Sequence, residues 1–95
     1  MKPQYNTFEE AEKALVKNNH LKNREITDNI SDKTYIISSM IIFPNVFSEN
    51  GKEITTGFDI AVFFKNDMSF ILLKEIANRF SLHANQTKFP VPVLI

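Results

Sequence analysis

Few residues in this chain could do chemistry. They are two histidines, His20 and His83, a serine pair, Ser38 and Ser39, and one carboxylate, Asp59, set inside an apolar run. A metal centre needs three or four nitrogen, sulfur or carboxylate ligands at short, regular spacings. The two histidines stand far apart, cysteine is absent, and no HExxH or His-x-His pattern occurs. No resident metal is expected, and both histidines read as solvated or capping groups.

A nucleophilic serine normally sits on a tight turn that exposes its oxygen beside backbone N–H donors. Ser38 and Ser39 lie instead within TYIISSMIIF, where small hydroxyl residues at a helix–sheet contact are expected. Phosphate-cradling loops need glycines, and the chain has only two, Gly51 and Gly57. Both are claimed by a turn and a bend, so no nucleotide cofactor is expected. Asp59 is alone, and a single carboxylate is not an acid–base pair. It reads as a solvent-facing group on the open side of a sheet, or as an orienting charge within a binding surface. No enzyme is indicated.

Composition narrows the classes further. The 95 residues make one domain, 1–95, and 43% of them are hydrophobic, enough for a single core. Eleven basic residues balance eleven acidic ones, with neither the basic stripe of a phosphate-backbone binder nor the acidic excess of a nucleic-acid mimic. The opening MKPQYNTFEEAEK lacks the apolar core of a signal peptide, and the longest apolar run is too short to span a bilayer. A cytoplasmic protein without membrane contact is expected. The abundance of Lys, Asn, Ile and Phe suggests an AT-rich bacterial or phage genome.

The elements that must carry any surface follow from pattern. Thr7 and Glu10 form a capping box, Glu9 and Lys13 are an i,i+4 pair, and Phe8, Ala11, Ala14 and Leu15 make a narrow apolar stripe. A helix over residues 7–18 is predicted. A short strand is expected around residues 24–28. Two β-rich runs, about 34–47 and 53–65, flank Asn50-Gly51, the strongest short hairpin signal. A two-residue turn there sets Glu49 against Lys52, and then Phe47 against Ile54, Phe43 against Phe58, Ile41 against Ile60 and Ile37 against Phe64. That face is almost wholly apolar and is expected on the core. The same register opposes Pro44 and Gly57, which predicts a bend or bulge. A second helix is predicted over residues 67–83, with Asp67 as N-cap and Phe70, Leu73, Ile76, Ala77 and Phe80 on one face.

The tail FPVPVLI reads as a C-terminal edge strand over residues 88–94. Pro90 and Pro92 remove both of their donors from one edge of such a strand, while Phe89, Val91 and Val93 keep theirs for the other. A polyproline-like arm on a second chain is the competing reading. The class is therefore α+β: an antiparallel sheet of three to four strands around a long hairpin, with both helices on one face.

This leaves a surplus of apolar surface. Ile36, Met40, Ile42, Val46 and Phe63, with Asp59, would share the second face of the hairpin, too apolar for water. The expected function is that of a small non-enzymatic protein-binding protein, an inhibitor, immunity-type or regulatory partner, acting through a sheet face or edge and open to homodimerisation. The alternative is a nucleic-acid-binding module using Lys13, Lys17, Lys22 and Arg24 at the end of the first helix.

Overall fold

A computed structural model describes residues 3–82. The segment expected as a strand over residues 88–94, and His83, lie outside the described residues. Helix α1, Phe8–Lys17, starts where the capping box places it, with Thr7 Oγ1 accepting the Glu10 amide at 3.1 Å. It ends at Asn18, whose amide and Nδ2 both donate to the Ala14 carbonyl, at 3.0 and 2.8 Å. Ala11 and Ala14 are buried, and Phe8 meets Phe58 edge-on with ring centroids 5.7 Å apart. A single 3-10 turn, Asn19–Leu21, leads to strand β1, Glu25–Asp28.

Strands β2, Thr34–Glu49, and β3, Lys52–Phe64, form the long hairpin. Asn50 and Gly51 take φ of 52° and 79°, the paired left-handed values of a type I′ turn. A methyl group on Gly51 would touch nothing within 4 Å, so the turn demands glycine for its backbone alone. Gly51→Ala should cost about 1 kcal/mol, read as a lower urea midpoint at unchanged slope.

Glu49 pairs with Lys52 and Phe47 with Ile54, as expected. Between Val46 and Asn45 the register then shifts, leaving Thr56 unpaired on β3. The predicted bulge is present next to Pro44, and its consequence runs along the strand. Phe43 now faces Asp59, Ile41 faces Ala61 and Ser39 faces Phe63, each one residue from the expected partner. A second bulge at Ser38 restores Ile37 to Phe64. The two faces of the hairpin are therefore exchanged over its middle third. Met40, Ile42 and Phe58 pack against the core with Ile60 and Val62, while Ile41 and Phe43 share the opposite face with Asp59, Ala61 and Phe63.

The predicted second helix is much shorter than 67–83. Asp67 caps a turn, accepting from the Ser69 amide at 2.8 Å, and Phe70–Leu72 forms strand β4 against Ala61–Phe63. Helix α2 is only Leu73–Arg79, and Phe80–Leu82 leaves it as strand β5, paired with β1. The apolar spacing of Phe70, Leu73, Ile76 and Phe80 suits a helix, but sheet edges on both sides recruit its two ends.

Among the described residues the sheet has five antiparallel strands in the order β4-β3-β2-β1-β5, one or two more than expected. Ala11 and Ala14 of α1 join Leu73 and Ile76 of α2 in one core with Ile26, Ile37, Ile60 and Val62. Burying Leu73 and Ile76 contributes about 1.5–3 kcal/mol each before chain entropy is set against it. β1 pairs only with Thr34–Ile36 of β2, so beyond Ile37 that edge of β2 has no strand partner among the described residues. Among the described residues, no helix is long and apolar enough to cross a membrane.

Candidate functional site

The six residues expected to share a binding face do not share one. Met40 and Ile42 turn toward the core, and Val46 lies on their side but exposed, near the hairpin tip. Asp59 and Phe63 occupy the other face, and Ile36, beyond the second bulge, sits opposite Glu25 of β1 and donates its amide to Asn66 Oδ1. The separation comes from the two unpaired residues, Ser38 and Thr56, each of which resets the alternation by one.

The open face that results is nonetheless apolar. Ile41, Phe43, Ala61, Phe63 and Phe70 line a depression of about 190 Å³. Ile41 and Phe70 are 52% and 55% exposed at its rim, and the Phe63 and Phe70 rings stack at 5.6 Å. Farther out, Phe47 and Ile54 face each other across the ladder, both exposed. Of this set only Phe63 was expected. Ile41 and Phe43 carry the same period-2 signal as Met40 and Ile42, so only the register separates core from surface.

Asp59 is neither solvent-facing nor at the rim. It is 2% exposed and accepts from the Gln4 amide at 3.0 Å and from Asn45 Nδ2 at 3.1 Å, with Lys74 Nζ 3.6 Å away. The carboxylate gathers the N-terminal segment, the bulged hairpin and the start of α2 at one point. Burial, reinforced by the Asp59 charge, raises the Tyr5 phenol above its ordinary value, which keeps that hydroxyl protonated. Asp59 ties these three parts of the fold together.

A second buried carboxylate has the same character. Asp28 accepts from Arg79 Nε at 3.0 Å, from Arg79 Nη2 at 2.6 Å and from the Ile30 amide at 2.9 Å. The Arg79 hydrogen bond holds its pKa well below the usual carboxylate range against the opposing effect of burial. A shallow cavity of about 250 Å³ opens beside this pair, between Tyr35, Phe64, Glu75 and Arg79. At the surface, Lys33 Nζ bonds Asp67 at 2.6 Å.

His20 Nδ1 lies 3.1 Å from the Lys17 carbonyl in the turn after α1. Ser38 is the extra residue of the second bulge, and Ser39 lies half-buried opposite Phe63. Among the described residues, no group of three or more His, Cys, Asp or Glu side chains could hold a metal ion. Lys13, Lys17 and Lys22 are exposed and Arg24 is half-buried, its carbonyl accepting from the Ile37 amide. Glu9, Glu10 and Glu12 are exposed on the same helix. No protein-family model matches the chain, and neither a curated protein nor a solved structure matches it.

Proposed function

We propose that this chain is a non-enzymatic protein-binding protein of the cytoplasm, of the inhibitor, immunity or regulatory kind, whose docking surface is the open face of its sheet. The observation that carries the reading is the depression lined by Ile41, Phe43, Ala61, Phe63 and Phe70 with its two half-exposed rim residues. An apolar hollow on a sheet face, outside the core that the helices cover, suits a protruding aliphatic or aromatic side chain of another protein. Self-association through the same face would make a symmetric dimer.

Ile41→Asp and Phe70→Asp test this reading. Both sites are exposed, so the melting temperature should stay within a few degrees of wild type. Each variant should lose at least tenfold in retention of the protein that wild type captures from a host lysate, or in its own dimer constant if the wild type self-associates. Unchanged retention by both variants, or a wild type that is monomeric and captures nothing, rejects the reading. The nucleic-acid alternative sets its lysines on a helix that also exposes three glutamates, and the absence of any gel shift at about 50 mM salt would remove it.

A further inference from the structure

We propose that residues 3–6 form a displaceable strap, and that the lane they cover on β3 takes an extended segment of another protein bearing a phenylalanine where the strap carries Tyr5. This concerns the Phe58 edge of the sheet and stands whether or not a protein docks on its open face.

The strap is a strand in miniature. Tyr5 and Phe58 exchange both backbone hydrogen bonds, at 3.0 and 2.8 Å, in an isolated antiparallel bridge. The Gln4 amide adds a bond to Asp59 Oδ1 at 3.0 Å. Farther along the same strand, β4 pairs with Ala61–Phe63. Of residues 3–7 only Tyr5 is buried, so its ring is the main apolar anchor of the strap. Helix α1 has its own support. Thr7 caps it through the Glu10 amide, and Phe8 packs edge-on against Phe58, so the strap can lift at the exposed Asn6 while the helix stays.

The ring fits its slot, but its hydroxyl does not. Tyr5 is 5% exposed, and its hydroxyl is buried with no hydrogen-bond partner among the described residues. Burial and the nearby Asp59 charge keep the group protonated, so ionisation gives no relief. A buried donor without an acceptor weakens the docked strap by a factor of about ten against a ring that has no hydroxyl. Phenylalanine is that ring, which makes Tyr5 a poorer occupant of the slot than a partner's phenylalanine. The remaining contacts narrow the partner to an extended main chain. Phe58 offers it a donor and an acceptor, and Asp59 accepts from the amide just before the ring, so that residue cannot be proline. Gly57 lets this backbone approach, because a Cβ there would fall 2.5 Å from the Tyr5 carbonyl oxygen.

Amide hydrogen exchange in the full chain, read by NMR, tests the release. The Phe58 amide donates to Tyr5 and should be protected at least tenfold less than the Ile37 amide, which donates to the Arg24 carbonyl within the sheet. Tyr5→Phe should slow exchange at Phe58 about tenfold. Equal protection at Phe58 and Ile37, or a Phe58 rate that Tyr5→Phe leaves unchanged or raises, overturns the strap. Neither reading needs a destabilised variant. The occupant is tested in a full chain carrying Tyr5→Ala, to which a synthetic peptide of residues 1–7 is added. The peptide carrying Tyr5→Phe should shift the Gly57 and Phe58 amide resonances and bind about tenfold more tightly than the peptide with tyrosine. Equal affinities, or no shift with either peptide, overturn the choice of occupant. A wild-type mass that doubles with concentration while Phe58 stays protected assigns the lane to a second copy's strap, and overturns the separate partner.

Discussion

Gly57→Ala should lower stability by about 3 kcal/mol, or on the order of 15 °C in Tm, the largest loss expected from adding a single methyl group to this chain. A Cβ built on Gly57 falls 2.5 Å from the Tyr5 carbonyl oxygen and 2.6 Å from the Pro3 ring. Neither neighbour can yield cheaply. The Tyr5 carbonyl is fixed by the Phe58 amide at 2.8 Å, the Tyr5 amide donates to the Phe58 carbonyl at 3.0 Å, and a proline ring has no rotamer to swing away. The segment must therefore lift off β3, and it carries with it the Tyr5 ring, which is buried in the core. It also carries the Gln4 amide away from Asp59. Urea denaturation supplies the measurement, and a cycle supplies the cause. In a chain lacking residues 1–5 the same substitution should cost close to nothing, because the clash and the segment share one origin. A full-chain variant within about 1 kcal/mol of wild type would show that the segment does not depend on this close approach. The two glycines thus serve opposite needs: Gly51 supplies a backbone angle in open space, and Gly57 supplies space for a second backbone.

Local chemistry was legible in the sequence, and the longer-range consequences were not. Helix α1 is written within a few residues, by the Thr7–Glu10 box and the Asn18 cap, so its predicted and observed limits agree within a residue. Asn50-Gly51 likewise fixes its own turn and the pairs nearest to it. Register in the middle of the hairpin depends on bulges at Ser38 and Thr56; the opposition of Pro44 and Gly57 signals a bulge near the second but not which strand carries the extra residue, and nothing signals the first. Apolar residues occupy consecutive positions from Met40 to Phe43, so the period-2 contrast that would have exposed the error is absent there. That one-residue shift moved Ile41 and Phe43 from the expected core to the open face, and it is why the depression they line was not anticipated. The second helix was overextended for a related reason. Phe70 and Phe80 fit its stripe, but pairing with β3 and β1 satisfies their backbone at the sheet edges. The place of Asp59 inside an apolar run is legible in the sequence, whereas its role depends on partners such as Gln4, far away in the chain.

The strongest pH dependence should come from Asp28. Asp28→Asn keeps the shape and the acceptor for the Ile30 amide but removes the charge that meets Arg79 at 2.6 Å. At pH 7 the variant should melt on the order of 10 °C lower, a loss moderated because the Arg79 side chain is 46% exposed. The sign with pH follows from the carboxyl being held below its ordinary value in the folded chain. Between the unfolded value, near 3.9, and that lower folded value, the unfolded chain binds more protons. The stabilisation is therefore complete above about pH 5 and is lost as the pH falls through the window. Wild type and variant should converge between pH 5 and pH 2.5, with the wild type moving. Asp67, lowered by Lys33 and Ser69, bends the profile in the same direction. Lys33 is half-exposed, so about 1 M salt should flatten much of that contribution while leaving most of the Asp28 effect, whose carboxylate is fully buried. A gap between wild type and Asp28→Asn that stays constant from pH 7 to 2.5 would assign the loss to packing, because only a charge that titrates can make the two curves meet.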